Sequence, residues 1–430
     1  MRDKPKQQIE VTFEKLVHGG EALGFSNGPA AGVMRQKAIF AFNALPGETA
    51  IVELTKDKKD FASGVAIEIL KKSNDRIEPV DSTFLINSPW QILKYDRELF
   101  YKKEILKETF AKLGKIELPE FEIKTDGQEY NYRNKMEFNF CDDQGQVALA
   151  FYERGTHHKV PTNGSILADE KINSAGQQIV DELNNLNIDA RRLKTLILRS
   201  DNAKVIAALF VKDELYLDFE IQSPLVGIEV YFSNPKSPAS TPDKLLCKKG
   251  QTTLEQQLVG RDFEYNALSF FQVNIPIYEM ALKRIAESTF HDKKIVDMYC
   301  GVGSIGIATN NKQPLVGIDS ETTNIGFAIK NAEKNNIKAS FFSTPDFCAI
   351  EHVPNDATLI LDPPRAGIHK TMLTAILEKL PPKIIYLSCN PSTQARDMEL
   401  LKQHYKLTFF EAYNFFPRTP HIESLAVLTR

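Results

Sequence analysis

Short runs in which apolar and polar residues alternate fill the first seventy positions of the chain. Residues 9–13, 38–42 and 49–54 keep the two-residue period of a strand. His18-Gly19-Gly20, Gly24, Asn27-Gly28 and Leu45-Pro46-Gly47 punctuate them as turns. Strands this short at this spacing predict a closed β-barrel. The basic stretch Lys56-Asp57-Lys58-Lys59 would project from it, and a solvated hairpin is the simpler account of that charge. From Ser88 to Leu113 the period lengthens. Ile92, Leu93, Leu99, Phe100, Ile105, Leu106, Phe110 and Leu113 fall on a helical stripe, which predicts a helix over 90–115. Beyond Pro119 the pattern predicts a hairpin of strands 136–140 and 147–151 around Asp142–Gly145. A helix over 172–186 follows, then strands over 195–210 and 215–219. From Phe263 strand-like runs at 295–299, 315–318, 359–361 and 384–387 alternate with helical periods over 277–290, 323–335, 370–379 and 394–404. That alternation implies a mostly parallel sheet with helices on both faces. The expected fold class is therefore multidomain: a small β-barrel over 1–72, a central mixed α+β domain over 73–262, and an α/β Rossmann-like domain over 263–430.

Composition changes this picture little. At 430 residues the chain is too long for one core, and 42% hydrophobic with 25% charged residues is ordinary for a soluble globular protein. Lys plus Arg number 53 against 56 acids, a net charge of −3, so any nucleic-acid binding must come from local patches. No apolar run is long enough to cross a bilayer and the first residues lack the core of a secretory signal, so a cytoplasmic location is expected. Five cysteines, at 141, 247, 300, 348 and 389, are scattered, with no Cys-x-x-Cys pair, so neither disulfides nor a metal site is expected.

The candidate chemistry lies in the last third. Two apolar runs end at polar turns carrying Asp362 and Cys389, and a carboxylate, Glu423, follows near the end. In Asp362-Pro363-Pro364-Arg365 two prolines fix φ and remove two donors, a stiff turn able to hold Asp362 against a flat substrate. A proline-bounded strand end explains the same residues. Cys389 precedes a helix start, where backbone dipoles favour thiolate. Most cytosolic cysteines are buried small hydrophobes, and the other four are assigned to that class. A thiol, an acid and a base at strand ends suit covalent attack on a ring carbon. Sulfur adding at C6 of a pyrimidine makes C5 able to accept a methyl group, and Glu423 would remove the C5 proton.

Asp297-Met298-Tyr299-Cys300-Gly301-Val302-Gly303 follows a strand and opens a helix, and its glycines admit a ligand close to the backbone. Asp319 closes the next strand, a position suited to ribose hydroxyls. The two predict a nucleoside-containing cofactor, with dinucleotide binding as competitor. In Phe270-Phe271-Gln272-Val273-Asn274, Gln272 could hold the cofactor's polar end and the aromatics could frame a base; two core phenylalanines and a helix cap is the bland account. Tyr132-Arg133-Asn134-Lys135 offers one aromatic and two cations, as either a nucleic-acid contact or an ordinary strand end.

In this order these motifs, with Ser388-Cys389-Asn390-Pro391-Ser392 and Pro420-His421-Ile422-Glu423, resemble those of the RNA uracil-5-methyltransferases. Residues 16–24 and 44–48 resemble a TRAM domain, an RNA-binding β-barrel. The resemblance spans nearly the whole chain and loosens over 172–263. It implies S-adenosylmethionine-dependent methylation of uridine C5. Cys389 would be the nucleophile, Glu423 the base, and Asp362 a contact to the uracil or the transferring centre. Gln272, Tyr299, Gly301, Asp319 and Asp362 would line the cofactor, while Arg133, Lys135 and Phe270 would contact RNA. The helix over 90–115 would pack on the catalytic domain. The TRAM-bearing branch typically modifies 23S ribosomal RNA, which implies that substrate; a monomer is expected. Transfer RNA is the near alternative, followed by RNA cytosine-5 methylation and a non-catalytic RNA-binding assembly factor.

One departure stands out. Many TRAM-bearing members hold a [4Fe–4S] cluster on four cysteines, three of them just after the barrel. Here residues 79–91 contain none, and neither does 164–167. No iron–sulfur cluster is therefore expected, and apolar packing by Phe84, Leu85, Ile86 and Trp90 is expected in its place.

Overall fold

The computed structural model of the chain describes residues 7–26 and 37–430, so the predicted turn at Asn27-Gly28 lies outside it. The chain forms two compact units. One takes in the residues up to Leu118 together with Arg154–Thr156 and Phe416–Ile422; the other holds Pro119–Glu153, His157–Phe415 and Glu423–Arg430.

In the first unit, strands β1 (Gln8–Leu16), β2 (Ala22–Ser26), β3 (Ala38–Phe42), β4 (Thr49–Asp57) and β5 (Phe61–Lys71) close into a barrel in the order β1-β2-β3-β5-β4. The alternating pattern turns Val11, Phe13, Ile39 and Val52 into the barrel core. Gly24, predicted as a turn, lies inside β2, paired with Phe13 and Ile39. A Cβ there would stand 2.3 Å from the Thr12 carbonyl oxygen, so this glycine marks close backbone approach. Glu48, fully buried, accepts from the Arg76 guanidinium at 2.7 and 2.8 Å and from the amides of Leu45 and Ser73.

The stretch after the barrel is held only partly as expected. Helix α1 (Phe84–Asn87) buries none of its residues fully; Phe84 packs against the core that holds Trp90, as expected, while Leu85 and Ile86 are only half-buried. A polar network adds to that packing. Gln91, wholly buried, accepts from the Val80 amide and donates to Asp81 and Ser88, while Asp81 accepts from Thr83. Trp90 is the apolar member, its indole donating to Gly20 at 3.2 Å. Because amides and a carboxylate occupy this stretch where thiolates would be required, its residues do not fit an iron–sulfur cluster.

The long predicted helix is shorter. A 3₁₀ turn over Pro89–Ile92 and an extended Leu93 interrupt the stripe, α2 spans Tyr95–Thr109, and a π turn covers Phe110–Gly114. The buried face of α2 carries Glu98 and Lys102, paired at 2.8 Å. Glu98 accepts from the Arg418 amide at 3.0 Å and Lys102 donates to the Phe416 carbonyl at 3.1 Å. The helix thereby holds the segment that runs into Glu423.

The second unit contains two large sheets. A two-residue strand β6 (Ile123–Lys124) precedes β7 (Lys135–Asp143), β8 (Gln146–Tyr152), β9 (Lys159–Thr162) and helix α3 (Glu170–Asn185). Strands β10 (Leu193–Ser200), β11 (Val205–Val211), β12 (Leu225–Phe232) and β13 (Lys244–Gly250) complete a seven-stranded sheet in the order β13-β12-β11-β10-β7-β8-β9. Helix α3 covers one face through Ile172, Ala175, Ile179 and Leu183. The predicted hairpin is present. The predicted strand over 215–219 is not: Leu215 and Phe219 are buried, yet the segment joins no ladder. Strands β12 and β13 were not predicted. A hairpin of β14 (Thr253–Leu258) and β15 (Arg261–Asn266) follows, and the expected 262/263 boundary falls inside β15.

Next come α4 (Ile275–Thr289), β16 (Ile295–Met298), α5 (Ser304–Ala308), β17 (Leu315–Asp319), α6 (Thr322–Lys334), β18 (Ala339–Ser343), β19 (Thr358–Leu361), α7 (Lys370–Lys379), β20 (Lys383–Ser388), α8 (Pro391–Leu401), β21 (Lys406–Tyr413) and β22 (Glu423–Thr429). Their sheet has the order β18-β17-β16-β19-β20-β22-β21-β6. The first five strands are parallel, as the alternation of periods predicts, and β22 then runs antiparallel to both neighbours. No helix among the described residues is long and apolar enough to cross a membrane.

Candidate active site

The chain leaves β16 toward β17 on one side and returns to β19 on the other, so a crevice opens at the carboxyl ends between β16 and β19. The glycine turn lies there. Tyr299 and Gly301 adopt left-handed backbone at φ 65° and 54°, and Gly303 at 82°. For a tyrosine that geometry costs on the order of 1 kcal/mol and is held by its surroundings. The Gly301 amide donates to Asp319 Oδ2 at 2.9 Å, locking the turn to the end of β17. A Cβ on Gly301 would find only the Phe270 carbonyl oxygen, at 3.6 Å, so there is room beside it for a ligand.

Asp362, Cys389 and Glu423 gather at the same edge. Leu361 pairs with Tyr386 across β19 and β20, so the next residue, Asp362, stands beside the end of β20. Ser388 pairs with Ser424, and one step further the antiparallel register sets Cys389 against Glu423. Glu423 is thus the first residue of an inner strand, 2% exposed, and its Oε2 has no hydrogen-bond partner. Burial, together with the neighbouring Asp362, pushes its carboxyl well above the usual carboxylate range. Burial likewise pushes Asp362 up to about 7.

Cys389 departs from expectation. Burial, followed by the charges of Glu423 and Asp362, pushes the thiol up to about 12, with Arg365 pulling the other way. The helix start was expected to favour thiolate; desolvation and two facing acids outweigh its dipole. Of the other cysteines, Cys300 is buried, Cys141 and Cys247 are partly buried, and Cys348 is exposed rather than a core residue.

The loop before α4 mixes both of its predicted roles. Phe271 is buried and stacks on Tyr265, whereas Phe270 is 59% exposed. Gln272 is almost wholly buried. Lys135 opens β7 of the central sheet, Arg133 just before it forms an isolated bridge to Ala168, and Tyr132 is buried, which removes it as an exposed stacking platform. Lys135 opens β7 directly opposite Arg199 on β10, and burial with that like charge pushes it down to about 8.

Two residues inside the quoted motifs were given no role by the sequence. Asp297, buried on β16, accepts from the Gly306 amide at 2.7 Å and is pushed up to about 7, while its Oδ1 is unpartnered. Asn390 caps α8 through the Ser392 amide at 3.1 Å and donates to the Arg365 carbonyl at 2.8 Å, tying the Asp362 turn to the Cys389 turn. The polar residue straight after the thiol and before a proline was the available signal for that cap.

An open glycine turn, a thiol and buried acids at one edge of a mostly parallel sheet are the arrangement of a transferase with a nucleoside cofactor. The model of the tRNA (uracil-5-)-methyltransferase family matches residues 94–343 and 352–430. The chain is 33% identical over 422 residues to an uncharacterized RNA methyltransferase of Prochlorococcus marinus, covering 90% of this chain and 99% of the relative. It is 27% identical over 450 residues to another of Thermosynechococcus vestitus, covering 98% of each. In fold it is similar to the crystal structure of Pyrococcus abyssi tRNA (uracil-54, C5)-methyltransferase in complex with S-adenosyl-L-homocysteine. The TM-score is 0.78 at 24% identity, over 98% of this chain and 99% of that one. The chain belongs to the tRNA (uracil-5-)-methyltransferase family. It is an RNA methyltransferase of the uracil-5 type that depends on S-adenosylmethionine. The residues fit that cofactor: the Gly301 turn is open, and the Asp319 oxygens accept from the amides of Gly301 and Glu321 and keep lone pairs for hydroxyls.

Proposed function

We propose that the chain methylates C5 of a uridine in 23S ribosomal RNA through covalent addition of Cys389 to C6. The observation that carries the chemistry is the strand register that sets Cys389 against Glu423, with Asp362 at the neighbouring strand end. A thiol pushed up to about 12 is protonated at rest, so its proton passes to the Asp362 carboxylate, itself raised to about 7, as the sulfur–C6 bond forms. The electron pair of the C5–C6 bond then lies on C5 and the adjoining carbonyl. When bound, S-adenosylmethionine supplies the electrophilic methyl group that C5 accepts. Glu423, once ionised, takes the C5 proton; the C5–H pair restores the C5–C6 double bond and expels the sulfur, which takes back the proton held by Asp362. Gln272, Tyr299, Gly301, Asp319 and Asp362 would hold the cofactor; Phe270, Arg133 and Lys135 would hold RNA around it. The barrel over 1–72 acts as an RNA-binding module.

A second reading, transfer RNA as substrate, has its own support. The Pyrococcus abyssi protein, named for uracil-54 of tRNA, has the same layout along its whole length. A barrel N-terminal to the catalytic sheet in sequence therefore does not separate the two RNA classes. Mass mapping of 5-methyluridine in ribosomal and transfer RNA, with and without this protein, decides between them. Loss confined to 23S RNA supports the first reading, loss confined to tRNA the second, and no loss in either overturns both. Cys389→Ala should show no turnover and no adduct with 5-fluorouridine RNA; residual turnover would overturn the nucleophile.

A further inference from the structure

The loop between β15 and α4 is held from the central sheet by two side chains so far without a role. Arg199, on β10, has no solvent exposure. Its Nη2 donates to the Ser269 carbonyl at 2.8 Å and its Nη1 to the Phe271 carbonyl at 3.2 Å, while Nε has no partner. The guanidinium lies 5.2 Å from the Tyr265 ring centre, and that ring stacks on Phe271 at 4.3 Å and 15°. Asn134, also buried, donates from its amide side chain to the Gln272 carbonyl and from its backbone to the Val273 carbonyl, both at 3.0 Å. Four carbonyls of one loop are thus fixed. The Phe270 ring remains exposed, and the Phe270 carbonyl is the nearest atom over Gly301.

A buried guanidinium that meets carbonyls instead of a carboxylate is costly, and burial pushes it down to about 10. The sheet alone does not require it, since Ile197, two residues earlier on the same strand face, is apolar and buried. We propose that Arg199 and Asn134 are positioning residues that fix the Phe270–Gln272 loop over the glycine turn, so that Phe270 and Gln272 meet substrate and cofactor in one geometry. The inference rests on the role proposed above for that loop. Arg133 and Lys135 flank Asn134, so the RNA-facing strand start and the catalytic loop share one anchor.

The test uses the full chain with Arg199→Lys, Arg199→Met and Asn134→Ser, each first checked for a wild-type circular dichroism spectrum. Misplacing the loop should lower kcat about 10–100-fold with the RNA KM within about threefold. Arg199→Lys should recover part of what Arg199→Met loses, because an ammonium reaches only one of the two carbonyls. In a Phe270→Trp background, Arg199→Lys should raise acrylamide quenching of the loop tryptophan about twofold; the native Trp90 is buried and stays silent. Should Arg199→Met fail to fold, Asn134→Ser, which leaves the buried charge untouched, decides. Wild-type kcat in folded Arg199→Lys and Asn134→Ser, or unchanged quenching, would overturn the positioning role. Cys389→Ala measured alongside separates the two ideas: an inactive Cys389→Ala beside a fully active Arg199→Lys sinks the positioning role alone.

Discussion

Two sets of buried carboxylates are treated in opposite ways. Behind the barrel, Glu48 receives an arginine and two amides, and on α2 Glu98 receives a lysine and the Arg418 amide. At the edge that carries the candidate site, Asp297 and Glu423 each keep an oxygen without a partner, and both feel the charge of Asp362. A compensated acid holds chain segments together; an under-compensated one stays able to exchange a proton. The difference sets Glu48 and Glu98 apart as structural acids and leaves Asp297 and Glu423 as the candidates for proton exchange.

The sharpest way to break this comparison is Glu423→Gln. Turnover should fall on the order of 10³-fold while the fold keeps at least its wild-type stability, since a strained acid is removed. Adduct with RNA should accumulate on denaturing gels; a destabilised variant would move Glu423 into the compensated class. Next is Arg76→Met, which strands Glu48 in the interior and should cost about 3–5 kcal/mol by urea unfolding, with kcat per folded molecule unchanged.

Asp297→Asn sharpens the contrast through pH. With the folded value raised to about 7, the native state keeps a proton that the unfolded chain loses near pH 4. Stability from this group is therefore present at low pH, falls as pH rises from about 4 to about 7, and is level above. The variant should lack that slope, a relative difference of about 3 kcal/mol between pH 5 and 7.5. The smallest effect, about 2 kcal/mol, is expected for Gly24→Ala, where a methyl group meets backbone in the barrel wall. Thermal melts of the whole chain would measure it.

The order of elements in the α/β part was legible because buried parallel strands make apolar runs that end at glycine, acid or thiol. The gathering of Asp362, Cys389 and Glu423 was legible only as separate motifs. Their meeting depends on β22 entering between β20 and β21, and neither β21 nor β22 was predicted. Gly24 was misread because a glycine needed for close strand approach looks the same in sequence as a turn glycine. The π turn after α2 and the 3₁₀ turn before it carry apolar residues at helical spacing, so periodicity joined three elements into one. The Cys389 thiol was misjudged because its burial, and after it the facing acids from two other strands, are not visible in the local sequence. Arg199 was passed over because local sequence cannot show that a charge will be buried against carbonyls seventy residues away.

In a sheet bent round until its first and last members join, no strand of the ring among the described residues is left as an edge. Such a ring cannot recruit another chain by lending it a free border. Whatever nucleic acid the N-terminal ring meets, it meets with side chains and loop tips, so that attachment should weaken steadily as salt is added.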